Sequence, residues 1–100
     1  MDTIEDWQLS TFEPHLNARF AVYDGDEHRL HIDLVRAERP ASASADAARP
    51  FSLVFRGPME PILQQQIYRL ESEGFDGPLD LFLVPIGPDA SGMRYEAIFN

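Results

Sequence analysis

The chain has 100 residues, of which 44% are hydrophobic and 25% are charged, and these values are typical of one soluble globular domain. Its net charge is −9, its 8 basic residues are all arginine and it has no cysteine, which excludes disulfides, thiolate metal sites and basic phosphate-binding surfaces. We therefore expect no nucleic acid and no membrane among its partners, and an N-terminus without the basic and apolar parts of a signal peptide favours a cytoplasmic protein.

The first predicted element is a short helical turn near the N-terminus. Ser10 and Glu13 have the spacing of a capping box, and Pro14 is tolerated only near a helix start. Asn17 can then leave the helix in a left-handed conformation. We expect this turn to plug one end of a sheet, with Trp7 anchoring the acidic segment that precedes it.

Strands are predicted after this turn, because the apolar residues then recur with a period of two. Clusters of glycine, proline and aspartate separate the alternating segments, as expected for tight turns between antiparallel strands. Residues 38–49 are rich in alanine, serine and proline without an apolar period, so we predict a mobile surface loop inside a single domain that spans 1–100. The alternating segments are 18–23, 29–35, 51–56, 67–73, 78–86 and 93–100.

This pattern predicts an all-β fold, a single small antiparallel barrel or sandwich of about six strands. A barrel has the advantage that closure removes edge strands, which otherwise invite association. The side chains predicted to fill the interior are Phe20, Val22, Leu30, Ile32, Leu34, Phe51, Leu53, Phe55, Leu70, Leu81, Leu83, Tyr95, Ala97 and Phe99.

Neither catalytic residues nor a cofactor are predicted, since the sequence contains no glycine-rich phosphate loop and three of its six serines fall in the 41–52 region, most of which belongs to the predicted mobile loop. His28 and His31 lie in an acidic hairpin, but residues three apart on a regular strand face opposite sides. They could share a metal ion only if the strand were interrupted between them, so no metal site is predicted. Whether the carboxylates of the turn at 24–27 bind a cation is left open.

One group of apolar residues falls on the side of the strands that faces away from the predicted interior. Phe82, Val84 and Ile98 form this group, and we add Tyr23 and Trp7 to it as candidate partner-binding residues. Two explanations are open: the N-terminal segment with Trp7 covers these side chains, or another chain does.

Four segments of the chain form recognisable motifs: FSLVFRGP at 51–58, QIYRLE at 66–71, FLVPIGPD at 82–89 and YEAIFN at 95–100. In these segments the chain resembles a family of short bacterial proteins that is classified as a domain of unknown function. The family has no catalytic residues to transfer. The resemblance implies an association with phage-tail-collar or tail-fibre-like proteins, and hence an assembly or chaperone partner.

The function expected from these observations is a non-enzymatic protein-interaction or assembly module. It would bind a protein partner or itself through an exposed strand or through the outward face that carries Phe82. The alternative is a small-molecule or carbohydrate-binding barrel whose mouth is lined by Trp7, Tyr23 and Tyr68. Within the closing motif, we expect Arg56 to pair with an acid such as Asp89.

Overall fold

The protein is a closed six-stranded antiparallel β-barrel. The computed structural model describes residues 7–39 and 50–99. Around the barrel the strand order is β1-β2-β3-β6-β5-β4, and every neighbouring pair is antiparallel. The elements are α1 (Leu9–Phe12), a 3₁₀ turn (Glu13–His15), β1 (Arg19–Asp24), β2 (Glu27–Glu38), β3 (Phe51–Gly57), β4 (Gln66–Glu71), β5 (Leu79–Asp89) and β6 (Gly92–Phe99).

The predicted all-β class is confirmed, and of the two architectures it allowed the barrel is the one formed. The boundary of the predicted loop at 38–49 was placed one residue too early, because β2 extends through Glu38, which pairs with Ser52 of β3. Arg39 follows the strand, and residues 40–49 of that loop lie outside the described residues.

All fourteen side chains predicted to fill the interior are buried. They alternate along the strands with residues on the outer wall, as a barrel requires. The polar atom of Tyr95 is satisfied inside, because its hydroxyl accepts a hydrogen bond of 2.9 Å from the backbone N–H of Leu63. The interior also contains side chains that were not in the predicted set, namely Trp7, Leu9, Phe12, Leu63, Tyr68, Leu79 and Met93.

The short helix closes one end of the barrel, as predicted. Phe12 is fully buried, and its ring centroid lies 5.6 Å from that of Phe99 and 6.0 Å from that of Phe51. The capping pair was predicted wrongly: the backbone N–H of Gln8 donates to the Thr11 hydroxyl at 3.0 Å, so the helix begins earlier than Ser10 and Glu13 suggest.

Asn17 connects this plug to the barrel wall. Its φ of 73° is the predicted left-handed conformation, and its backbone N–H donates to the carbonyl oxygen of Leu34 at 2.6 Å.

Within residues 7–39 and 50–99, no helix is long and apolar enough to cross a lipid bilayer.

Candidate protein-interaction surface

A strip of large apolar side chains lies on the outer wall of three neighbouring strands. Ile67 of β4 pairs directly with Phe82 of β5, and their side chains are 65% and 49% exposed. The pairing of β5 with β6 ends at Val84 and Glu96, and Ile98, two residues further along β6, is also on the outer wall and is 60% exposed. We call Ile67, Phe82 and Ile98 the outer strip.

Polar residues border the outer strip on both sides. On one side Arg69 of β4 pairs with Asp80 of β5, and on the other side the charged residue is Glu96 of β6, which pairs with the half-buried apolar Val84 of β5. An apolar centre with a charged border is the usual anatomy of a surface that another protein covers. Isolated exposed apolar residues are common on soluble proteins, but Ile67 and Phe82 are direct cross-strand partners, and Ile98 adds a third exposed apolar side chain on the neighbouring strand.

The five candidate partner-binding residues do not come together as one surface. Phe82 and Ile98 belong to the outer strip, and Val84 borders it. Tyr23 lies half-buried on β1, where it pairs with Arg69, whose guanidinium carbon lies 4.8 Å from the centroid of the Tyr23 ring. Tyr23 therefore lies in the charged row of Arg69 and Asp80, beside the row of Ile67 and Phe82 and not in it.

Trp7 is placed inside the protein, with 6% of its surface exposed. Its ring packs edge-on against Phe12 and Phe99, at centroid distances of 6.0 Å and 6.1 Å. Trp7 is thus part of the plug. It does not cover the outer strip, which removes the suggestion that Trp7 itself shelters Phe82 and Ile98.

Ile67 is the member of the outer strip that the sequence reasoning did not select. The alternation in β4 was read correctly, because Tyr68 and Leu70 point inward and Ile67 points outward. What the sequence could not supply was the register between β4 and β5, which alone places Ile67 opposite Phe82.

An exposed strand was the other binding mode expected from the sequence. Each of the six described strands is hydrogen-bonded to two neighbouring strands, so none of them is the edge of an open sheet. Strand addition needs such an edge, so the described strands do not offer this mode of binding.

The predicted ligand-binding mouth, with Trp7, Tyr23 and Tyr68 around one opening, is not formed. Trp7 belongs to the plug, Tyr23 lies on the outer wall, and Tyr68 is buried with its hydroxyl donating to the carbonyl oxygen of Gln64 at 2.8 Å. Burial, followed by the negative charge of Asp24, raises the pKa of Tyr68.

Beside the plug lies a cleft of about 640 Å³, whose walls include Trp7 and His15.

The predicted pairing of Arg56 with Asp89 is confirmed. The Arg56 Nε donates to both carboxylate oxygens of Asp89, at 3.1 Å and 2.9 Å, and an Nη2 contact adds a further bond. The same carboxylate accepts the backbone N–H groups of Ser91 and Gly92, at 2.8 Å and 3.0 Å. The pair therefore joins the end of β3 to the turn between β5 and β6.

This arrangement predicts a contribution to stability that acid removes. The hydrogen bonds from Arg56, then that from Ser91, lower the pKa of Asp89 to about 2. An unfolded aspartate has a pKa of about 3.9, so the ionised carboxylate stabilises the folded state above about pH 4, and this stabilisation is lost as the pH falls towards 2. Asp89→Asn should therefore show a smaller loss of thermal midpoint between pH 4.5 and pH 2 than the wild type.

Thermal unfolding followed by circular dichroism across that pH range measures the effect. Asp26→Asn serves as the control, since it removes a carboxylate from the exposed β1–β2 turn. If Asp89→Asn and Asp26→Asn changed the acid dependence equally, the Arg56 contact would have no special part in it.

His28 and His31 were predicted to face opposite sides of a regular strand, and this is wrong. β2 contains a β-bulge, and the two imidazole rings lie next to each other with their centroids 4.7 Å apart. Among the residues that the structure describes, no three histidine, cysteine, aspartate or glutamate side chains are grouped closely enough to hold a metal ion together.

The comparisons with known proteins identify the family of this domain but no characterised relative. No curated protein and no solved structure was found to match the chain. A family model described as "Domain of unknown function (DUF6916)" matches residues 7–99, which include the whole of the described barrel and its plug. The chain therefore belongs to the DUF6916 family of domains of unknown function.

Proposed function

We propose that this domain is a non-enzymatic protein-interaction module and that the outer strip is its binding surface. The observation that supports this most directly is the pairing of Ile67 with Phe82, which places two large exposed side chains side by side, with Ile98 on the next strand. Covering three such side chains would remove a large apolar area from water, which favours association.

The barrel is well suited to present such a surface. β3, β4, β5 and β6 are held by antiparallel pairing, with one irregularity in β5 between Pro85 and Gly87, and their inward-facing side chains are buried. A partner that binds the outer strip therefore meets side chains on a rigid backbone. Less conformational entropy is lost on binding than if the same side chains were presented by a loop.

The charge of the chain indicates what kind of protein would bind. With a net charge of −9, two copies repel each other at long range, whereas a partner with a basic surface is attracted. The proposed partner is thus a protein with apolar side chains surrounded by lysine or arginine, which can pair with acids such as Asp80 and Glu96 at the border of the strip.

The family resemblance suggests a setting for this interaction. We extend the proposal to an accessory or chaperone role beside a phage-tail-collar or tail-fibre-like protein. Co-expression with such a fibre protein should raise the soluble yield of the fibre protein, and the outer-strip variant Phe82→Glu should not. If Phe82→Glu raised the soluble yield of the fibre protein as much as the wild type does, the assembly role would not depend on the outer strip.

Site-specific photo-crosslinking tests the binding surface itself. A benzophenone amino acid placed at position 82 in cells of the native host should give an adduct with a basic protein, because position 82 lies at the centre of the outer strip. The same group at Ile62, which is 54% exposed but outside the barrel strands, is the matched control. Adding Ile67→Glu and Ile98→Glu should weaken the adduct by about tenfold or more, since buried charges replace apolar contacts.

Two results would contradict the proposal. Adducts of equal yield at positions 82 and 62, or none at position 82, would mean that the outer strip is not a specific binding surface. An adduct with twice the mass of the chain would show that a second copy, and not a basic partner, covers the strip.

A further inference from the structure

The β1–β2 hairpin brings two histidines together by means of a β-bulge. Tyr23 of β1 pairs with His28 and Val22 pairs with Leu30, so Arg29 is an extra residue without a partner in β1. One inserted residue shifts the alternation of the strand by one position. His28 consequently faces the same side of the wall as His31, although the two are three residues apart.

The spacing of the two rings fits a shared metal ion. A metal lies about 2.0–2.1 Å from a histidine nitrogen, so two imidazoles on one ion at an angle of roughly 90–110° have ring centroids about 4.5–5.2 Å apart. The observed distance between the centroids of His28 and His31 is 4.7 Å, and the planes of the rings are inclined by 61°. Both side chains are exposed, so the ion can enter from solvent.

The surroundings of the pair favour a cation. Between positions 24 and 33 the hairpin has four carboxylates; Arg29 pairs with Asp24 and Glu27, and Arg19 pairs with Asp33, within a chain whose net charge is −9. The ring centroids of Tyr23 and His28 lie 5.3 Å apart. The other neighbour of the Tyr23 ring is Arg69, whose guanidinium carbon lies 4.8 Å from the Tyr23 centroid. Tyr23 thus limits the positions that His28 can adopt and helps to keep it beside His31.

We propose that His28 and His31 form a two-histidine binding site for a late first-row transition-metal ion, Ni²⁺, Cu²⁺ or Zn²⁺. Imidazole nitrogen is a preferred ligand of these ions, whereas Ca²⁺ and Mg²⁺ prefer oxygen. Since the described residues place no third histidine or carboxylate in this group, the remaining coordination positions are taken by water. The bound ion is therefore exchangeable and is held less tightly than in a structural zinc site.

Calorimetric titration of the untagged full-length protein with NiCl₂ tests the site. We expect one ion per chain, and we expect His28→Ala and His31→Ala each to weaken binding by about tenfold or more, because each removes one of two protein ligands. His15→Ala is the matched control and should bind as the wild type does, since His15 belongs to the plug, where its ring packs against Phe75. MgCl₂ should give no saturable binding.

A second measurement does not depend on the variants being folded. In the wild-type protein, paramagnetic Ni²⁺ should broaden the imidazole proton resonances of His28 and His31 at ion concentrations that leave those of His15 sharp. Equal broadening of all three histidines, or Ni²⁺ affinity that survives His28→Ala and His31→Ala, would overturn the proposal. The outer strip is on β4, β5 and β6, so either proposal can fail without the other.

Discussion

Replacing Phe12 by alanine should lower the free energy of unfolding by about 3–5 kcal/mol, the usual cost of removing a fully buried aromatic ring. Phe12 is the centre of the plug: its ring lies within 6.0 Å, centroid to centroid, of the rings of Trp7, Phe51, Phe75 and Phe99. These neighbours belong to separate strands and loops, and they cannot all move inward to fill the cavity. For a domain of this size the thermal midpoint should fall by roughly 10 °C or more.

Urea unfolding followed by tryptophan fluorescence is a direct measurement, because Trp7 contacts Phe12 and is the one tryptophan of the chain. Phe82→Ala is the matched control. It removes the same atoms from a side chain that is 49% exposed, and should cost less than about 1 kcal/mol. A loss for Phe12→Ala no larger than this would mean that the plug contributes little to the stability of the barrel.

This comparison also separates stability from the proposed function. Phe12 and Phe82 are both phenylalanines, but one seals the end of the barrel and the other lies in the outer strip. We expect Phe82→Ala to weaken partner binding while leaving the fold intact. Phe12→Ala should act in the opposite way, destabilising the fold without changing the composition of the binding surface.

The interior of the barrel could be predicted from the sequence because the apolar alternation in each strand is local information. Phe51, Leu53 and Phe55 point to the same side of β3 whatever strand lies next to them, and all three are buried. Three of the seven missed interior residues lie in alternating strands, and the other four, Trp7, Leu9, Phe12 and Leu63, come from segments without a period of two. Leu63, for example, lies between β3 and β4 in a stretch where one buried leucine has no alternating neighbours.

The candidate surfaces depended on information that the sequence does not display. The outer strip exists because β4 and β5 pair with Ile67 opposite Phe82, and the sequence allows other registers of the same two strands. The histidine pair exists because of one extra residue, Arg29, and the rule that residues three apart face opposite sides is valid only for a regular strand. Both are properties of strand pairing, which only the folded structure shows.

Replacing Gly92 by alanine should lower the free energy of unfolding by about 3 kcal/mol, at the upper end of the range for overpacked sites. A Cβ atom on Gly92 would overlap the carbonyl oxygen of Gly57 and would lie 2.9 Å from Cγ of Arg56. The flexible side chain of Arg56 could move away from the new Cβ atom. The Gly57 oxygen could not, because it belongs to the backbone of β3, where Gly57 pairs with Met93 of β6. The strands would have to separate at this end of the barrel.

Gly77→Ala provides the control, because no atom lies within 4 Å of a Cβ built at that position, and it should change stability by less than about 0.5 kcal/mol. Chemical denaturation of both variants measures the difference. The displacement caused by Gly92→Ala should also disturb Arg56 and the turn that Asp89 holds, since the Gly92 N–H donates to that carboxylate. The acid dependence of stability should then become like that of Asp89→Asn. If Gly92→Ala were as stable as Gly77→Ala, the close approach of β3 to the β5–β6 turn would have to be wrong.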